Sequence, residues 1–576
     1  MIPGRSWSRI GALAAAMLFA SLPALAQVVP PSELPGHERQ RFEVPRGPLS
    51  QPGGPPISLP STVAPPGADK IMLRLRGVRF VGGTIYKPED LAALYADLVD
   101  QVVSLAAVYD VAARITAKYG SDGYILSRAI VPPQELSPGG AVVTIQIVEG
   151  YIDRVEWPAS LSSYRNFFDY YAARIIADRP TNIRTMERYL LLASDLPGLK
   201  FKNSLKASPS QQGAATLVVE VIEKPVDLFS RVDNRGTKAR GPYQYLTSAT
   251  LNNLLHMHES LTVSYAGAFQ TRELQYLALA YRQVLTPEGF TLFATASNSR
   301  GRPGTPALQL LEYKTNSWWV ESGVSYPFIR LRERNLIVSG LMFGTNDRSD
   351  ILGELNTLDK LRGFRLKADA DMAEPSGAIN QLNVTFSQGF EGLGSSKNNE
   401  GAAEIAANVN NLSVKNGRVD FSKFEATYTR VQPLFDRLSL LVSAYGQHAF
   451  QPLLVPEMCG YGGRFFGRAY DPSQIVADSC IEVLAELRYD LPTGGVKELT
   501  QAQLYGYYDH GWLHNIAPVG VAFSNVDAAS VGGGIRLGWQ PVFAPYGGFS
   551  TDLSVAKAIE GPRDDWRFFF IVTGRL

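Results

Sequence analysis

The run at 481–491 constrains this chain more than any other stretch. Ile481, Val483, Ala485, Leu487, Tyr489 and Leu491 are apolar, while Glu482, Glu486, Arg488 and Asp490 fall on the opposite parity. Such alternation describes a β-strand with one greasy and one charged face. A charged inner face and an apolar outer face fit a membrane barrel around a wet lumen. From residue 227 to 576 helical spacing is lost, and about sixteen amphipathic segments follow one another. They start near residues 227, 242, 258, 272, 288, 312, 334, 358, 378, 418, 437, 480, 498, 528, 546 and 565. Short links such as Thr286-Pro287-Glu288-Gly289 alternate with long polar ones such as 392–417, the turn-and-loop asymmetry of an outer-membrane barrel. An even strand count returns both ends of the barrel to one side.

Composition agrees with this expectation. Charged residues are 19% of the chain, and 26 Tyr and 27 Phe can supply interfacial girdles. A net charge of +1 gives no bulk attraction to nucleic acid. Residues 1–26 read as a secretory leader: Arg5 and Arg9, an apolar run, then Ala24-Leu25-Ala26. The apolar run is shorter than the roughly 20 residues an anchor helix needs. Residues 27–69 form a proline-rich linker, with eleven prolines by residue 67 and no amphipathic helix. Two mixed α/β modules follow, at 70–149 and 150–225, each in the order strand, helix, helix, strand, strand. Their closing strands, Val143-Thr144-Ile145-Gln146-Ile147-Val148-Glu149 and Leu217-Val218-Val219-Glu220-Val221-Ile222-Glu223, lie 74 residues apart and mark a tandem repeat.

Between the eleventh and twelfth segments lies Gly462-Gly463-Arg464-Phe465-Phe466-Gly467-Arg468-Ala469-Tyr470-Asp471-Pro472, flanked by the two cysteines, Cys459 and Cys480. Its position after an odd-numbered strand makes it the sixth outer loop, at about 450–479. In an oxidising compartment the simplest reading of the cysteines is one Cys459–Cys480 bridge, and two unpaired thiols are the alternative. No Cys/His set has zinc spacing, and G-x-S-x-G, P-loop and H-E-x-x-H motifs are absent. His510 and His514 read as solvated strand-end histidines, and Glu482 and Glu486 as lumen lining. An enzyme is not expected, nor is a metal or cofactor.

The leader, tandem modules, sixteen strands and arginine-bearing loop together resemble the outer-membrane transporters of two-partner secretion, the haemolysin and filamentous-haemagglutinin secretion type. That family lies in the superfamily of BAM-type insertases. The most specific stretches are Phe466-Gly467-Arg468-Ala469-Tyr470-Asp471-Pro472, Leu484-Ala485-Glu486-Leu487-Arg488-Tyr489 and Tyr508-Asp509-His510-Gly511. The resemblance implies two periplasmic POTRA domains, a sixteen-stranded transmembrane barrel at 226–576 and a sixth loop folded into the lumen. It also implies that Arg468 pairs with Asp509 on the thirteenth strand. Asp509 shares parity with Gln501, Gln503, Tyr505 and Tyr507, so its side chain is expected to face inward. Ala469 stands where the family usually has glycine; a position with positive φ would cost alanine about 1 kcal/mol. The region before the first module lacks the long helix that plugs the lumen in some members. This argues against a plugging helix and leaves open whether an N-terminal segment fills the pore.

The implied function is passage of an unfolded exoprotein, large and β-helical, through a monomeric barrel in outer-membrane lipid without nucleotide hydrolysis. Exposed strand edges on the modules are expected to take the cargo, and the edge at 199–206, blunted by Lys200, Lys202 and Lys206, is best placed. A barrel-assembly insertase and a small-solute channel are the alternatives. Two modules argue against the first, and any periplasmic module argues against the second.

Overall fold

The computed structural model describes residues 29–43, 47–53 and 63–576, apart from 138, 210, 520–522 and 542–546. The leader expected at 1–26 lies outside the described residues. The first module contains β1 (Met72–Val81), β2 (Val102–Ser104), β3 (Arg128–Ile130) and β4 (Ala141–Val148), in sheet order β2-β1-β4-β3. β1 and β4 run parallel. The helix Leu105–Ser121 packs on the sheet through Val108, Val111, Ala112, Ile115 and Tyr119, all buried. Those positions recur at three- and four-residue intervals, which puts them on one helical face. Ser104 caps its start by accepting from the Ala107 amide. The three-residue β2 is additional to the expected elements; it is too short to show periodicity.

The second module repeats the plan with β5 (Tyr151–Glu156), β6 (Leu199–Ala207) and β7 (Ala214–Glu223) in the order β5-β7-β6. Helices Arg165–Ala177 and Ile183–Ser194 cover one face. β6 is therefore an edge strand.

Sixteen antiparallel strands then close a barrel. They are β8 (Val226–Asp233), β9 (Gln244–Asn252), β10 (Glu259–Ala268), β11 (Gln275–Val284), β12 (Thr291–Gly301), β13 (Lys314–Arg330), β14 (Arg334–Ile351), β15 (Glu354–Ala373), β16 (Ile379–Gly389), β17 (Ser422–Phe435) and β18 (Leu438–Ala449), then, after an inner hairpin of β19 (Cys459–Tyr461) and β20 (Ile475–Ala477), β21 (Ser479–Asp490), β22 (Leu499–His514), β23 (Asn525–Trp539), β24 (Gly548–Glu560) and β25 (Trp566–Arg575). Every barrel strand begins within four residues of its expected start. The seam joins β25 to β8, with Ile571 opposite Asp233 and Arg575 opposite Phe229. Closure leaves no unpaired edge, the condition for strands to cross a membrane. Side chains sort by parity: Ile481, Leu487 and Tyr489 are exposed outside, whereas Glu482 and Glu486 are buried inside. On β25, Trp566, Phe568 and Val572 point outward.

Candidate functional site: the lumen and its sixth loop

The loop between β18 and β21 turns into the barrel on the β19–β20 hairpin. At its tip Gly467 has φ +63°, and a Cβ there would lie 2.7 Å from the Gly462 amide nitrogen and 2.8 Å from the Tyr461 ring. Glycine alone fits this reversal. Ala469, one residue past Arg468, is fully buried and lies outside the left-handed region. Replacing the family's glycine there costs no backbone strain. Cys459 and Cys480 are joined as a disulfide, with Cα atoms 6.5 Å apart, so the inner hairpin is tied to the start of β21.

Arg468 organises the inner contacts. Its guanidinium pairs with Glu486 on β21 and lies 4.5 Å from the centre of the Tyr507 ring. Glu486, fully buried, also receives Arg536 through two bonds of 2.8 and 3.1 Å and Arg488 at 2.7 Å. Arg536 continues to Asp552 at 3.0 Å and stacks over Tyr505 at 3.7 Å. Asp509 on β22 is inside the lumen, but it accepts the Arg468 backbone N–H at 3.2 Å, the Tyr461 hydroxyl at 2.8 Å and the Ser530 hydroxyl at 2.6 Å. The geometry thus corrects the expected side-chain pair: Arg468 reaches Glu486, and Asp509 holds the main chain of the same residue. The cause is electrostatic. Three guanidinium groups converge on Glu486, which can remain charged inside the wall only with such partners. Asp509 is already satisfied by two hydroxyls and an amide.

The flanking residues fasten the loop to the last three strands. Tyr470 donates its hydroxyl to the Glu560 carbonyl, and Asp471 pairs with Arg567 at 2.8 Å and Arg563 at 3.3 Å. Phe466 packs against the buried cluster that contains Tyr461 and Tyr470. Arg235, from the first outer loop, donates to the Gly463 and Arg468 carbonyls, each at 3.0 Å. Gly532 and Gly534 on β23 leave room for rings: added Cβ atoms would come within 2.5 Å of the Tyr507 hydroxyl and 2.8 Å of the Tyr505 hydroxyl. His510 stacks on Trp512, with ring centres 4.1 Å apart. Among the described residues no group of His, Cys, Asp and Glu is arranged to hold a metal.

The lumen also holds part of the N-terminal region, which the proline-rich composition does not lead one to expect. Val29 packs near Ala239, Leu308 and Tyr313 at the long-loop rim. Glu33 and Glu38 pair with the fully buried Arg240 at 3.2 and 3.1 Å. The single-turn helix α1 (Glu38–Phe42) places Arg39 over Trp319 and Phe42 against Tyr276. At the short-turn rim the Ser50 amide donates to Asp371 at 2.5 Å and the Gln51 amide to the Arg332 carbonyl at 2.8 Å. The described residues 29–43 and 47–51 therefore include contacts at both mouths of the barrel. It corrects the reading of 27–69 as linker alone. A five-residue helix is too short to show an amphipathic period, and alone in water it would not be stable; the barrel wall supplies its burial.

A family model of the haemolysin secretion/activation proteins ShlB/FhaC/HecB matches residues 213–537, more than half of the chain. The chain belongs to this family. A POTRA domain model of the ShlB type matches residues 73–150, the first module. The transporter is 22% identical over 494 residues to the heme/hemopexin transporter protein HuxB of Haemophilus influenzae strain 86-028NP, covering 83% of this chain and 82% of that protein. It is 22% identical over 417 residues to the outer membrane transporter CdiB of Dickeya dadantii strain 3937, covering 69% and 68%. Its fold is similar to that of CdiB from Escherichia coli, with a TM-score of 0.65, 17% identity and full coverage of both chains. The transporter accordingly sits in the outer membrane with its POTRA domains in the periplasm, and the short turns face them.

Three periplasmic turns of the transporter seat the second module. Glu288, in the turn between β11 and β12, accepts from Tyr170 at 2.7 Å, Arg188 at 2.9 Å and Tyr189 at 3.0 Å. Asp195 takes a two-bond contact from Arg330, at 2.7 and 2.8 Å, beside the turn between β13 and β14. Phe167 packs on His258, in the turn between β9 and β10, with ring centres 4.0 Å apart. Lys200, Lys202 and Lys206 all lie exposed along β6, while Leu199, Phe201 and Leu205 of the same strand turn toward the core. Sequence reasoning missed Arg536, Arg240, Glu33 and Glu38, and treated Glu486 as lining. Of these, only Glu486 was marked, by its inward parity.

Proposed function

We propose that this transporter is a passive conduit for an unfolded exoprotein. Its leader, at 1–26, directs export; the modules at 70–149 and 150–225 capture the cargo; and the barrel at 226–576, acting as a monomer, passes it outward. The cargo is a large β-helical protein, and its folding outside the cell supplies the drive, with no nucleotide hydrolysed and no reaction catalysed. The names of the relatives, a heme/hemopexin transporter and outer-membrane transporters, accord with export of a dedicated partner. The observation that carries this reading is that residues 29–43 lie inside the lumen while Ser50 and Gln51 bond at its short-turn rim, since a bore that accommodates extended polypeptide of this chain is wide enough for a passenger in its place. Cargo entry is assigned to the β6 edge at Lys200, Lys202 and Lys206. Loop 6, locked through Arg468, Glu486 and Asp509 and stapled at Cys459–Cys480, shapes the exit path.

The test is co-expression with a candidate exoprotein partner, with secretion measured in the medium and barrel folding by heat-modifiable gel migration. Secretion that persists after Arg468→Ala would sink the role given to the loop. Insertion of unrelated barrels by the purified protein would favour an insertase instead.

A further inference from the structure

A passenger in this lumen meets a specific physical problem. Every wall strand is paired on both sides, so the wall offers no ladder partner for the passenger's main chain. Its carbonyls and amides must find side chains or water. The resident N-terminal segment shows how two of its carbonyls are met. Arg231, on the wall strand β8, donates to the Arg41 carbonyl at 3.4 Å. Arg464, in loop 6, donates to the Arg41 carbonyl at 3.2 Å and the Glu43 carbonyl at 3.1 Å. These are the orphan acceptors where α1 gives way to extended backbone, with Glu43 at φ −62° and ψ 132°. Neither arginine contacts a side chain of the segment in these bonds, so nothing in them depends on sequence. A cavity of about 620 Å³ opens beside the segment, bordered by Arg231, Arg464, Glu425 and Glu482.

Resting on the conduit reading above, we propose that Arg231 and Arg464 form a main-chain carbonyl-binding subsite for polypeptide in transit. The N-terminal segment occupies it as a resident surrogate, which a passenger displaces. Charged donors to neutral carbonyls grip more strongly than neutral pairs and accept any residue. The side-chain hold on the surrogate lies elsewhere, in Arg39 on Trp319, Phe42 on Tyr276 and, the charged part of it, the Glu33 and Glu38 pairs to Arg240. Reversing the charge at Arg240 turns two attractions into repulsions and so weakens that hold while leaving Arg231 and Arg464 unaltered.

The experiment uses the full-length chain in planar bilayers. Arg240→Glu sets a carboxylate against Glu33 and Glu38, and conductance is expected to rise several-fold as the segment leaves. An uncharged 20-residue Gly-Ser peptide, added on the POTRA side, is then expected to give transient blockades. Adding Arg231→Gln and Arg464→Gln shortens them about tenfold, while Arg231→Lys with Arg464→Lys keeps most of the duration. Equal blockades with and without the two glutamines would overturn the subsite and leave the conduit reading standing. An Arg240→Glu channel that opens but is never blocked would overturn both. One that is folded by gel migration yet stays at parental conductance would overturn the displaceable surrogate. If the triple variant does not fold, Arg464→Gln on Arg240→Glu is used, and unchanged blockades there overturn the subsite equally.

Discussion

Glu486 illustrates what a single residue can hold. One carboxylate with no exposure is the shared partner of Arg468, Arg488 and Arg536, so removing it leaves three guanidinium groups without it. Glu486→Gln is expected to cost about 3 kcal/mol in a denaturant titration of the detergent-folded barrel. Asp509→Asn is expected to cost less, since an amide oxygen still accepts two of the three bonds. A larger loss from Asp509→Asn would reverse the assignment. Glu288 adds a pH dependence. Burial opposes its ionisation, but bonds from Tyr170, Arg188 and Tyr189 outweigh it and hold the carboxyl below its ordinary value of 4.5. A depressed carboxyl contributes docking stability fully above that ordinary value, and the contribution is lost as pH falls through the lowered one. Hydrogen exchange in the 285–290 turn should therefore stay slow at pH 6 and quicken only as the pH falls below that ordinary value and through the lowered one. Glu288→Gln should remove that step. The parity of Asp509 and Glu486 was legible in the sequence because each strand states its own alternation. Which of the two meets Arg468 depended on Arg536, 50 residues beyond Glu486, and no local pattern reports that.

Among elements, the barrel strands were the most legible and the N-terminal segment the least. A strand between lipid and water carries its environment in every second residue, so sixteen starts could be read from sequence. The segment 29–43 borrows its environment from the wall, and its own residues give no period. β6 stands between these cases. Its pairing with β7 fills one side, and the other remains open with Lys200, Lys202 and Lys206 exposed. A proline at an outward-facing amide of residues 199–207 is expected to weaken capture of the cargo's N-terminal region by the full-length protein several-fold, with the fold unchanged by circular dichroism. Unchanged capture would move the receptor to β5 or to the first module. The β19–β20 hairpin yields a further prediction. Mass spectrometry of non-reduced protein should give a single crosslinked peptide containing Cys459 and Cys480, and two freely alkylated thiols would refute the staple.

At the scale of the whole molecule, the second module is seated on three turns while the first touches the barrel through no described ion pair. On the proposed reading, cargo leaving β6 would start from a fixed point beside the periplasmic mouth, and motion of the first module relative to the barrel would not disturb that point. The transporter's own N-terminal residues bear on its birth as well as its resting state. Val29 stands among the outer loops and Gln51 at a periplasmic turn. Each newly made molecule must therefore bring its own N-terminal residues to both mouths of the barrel before it carries anything else. If the wall zips shut around them, biogenesis has to begin with that segment already laid against the nascent strands. If they are threaded through a finished pore, the protein's first passenger is itself.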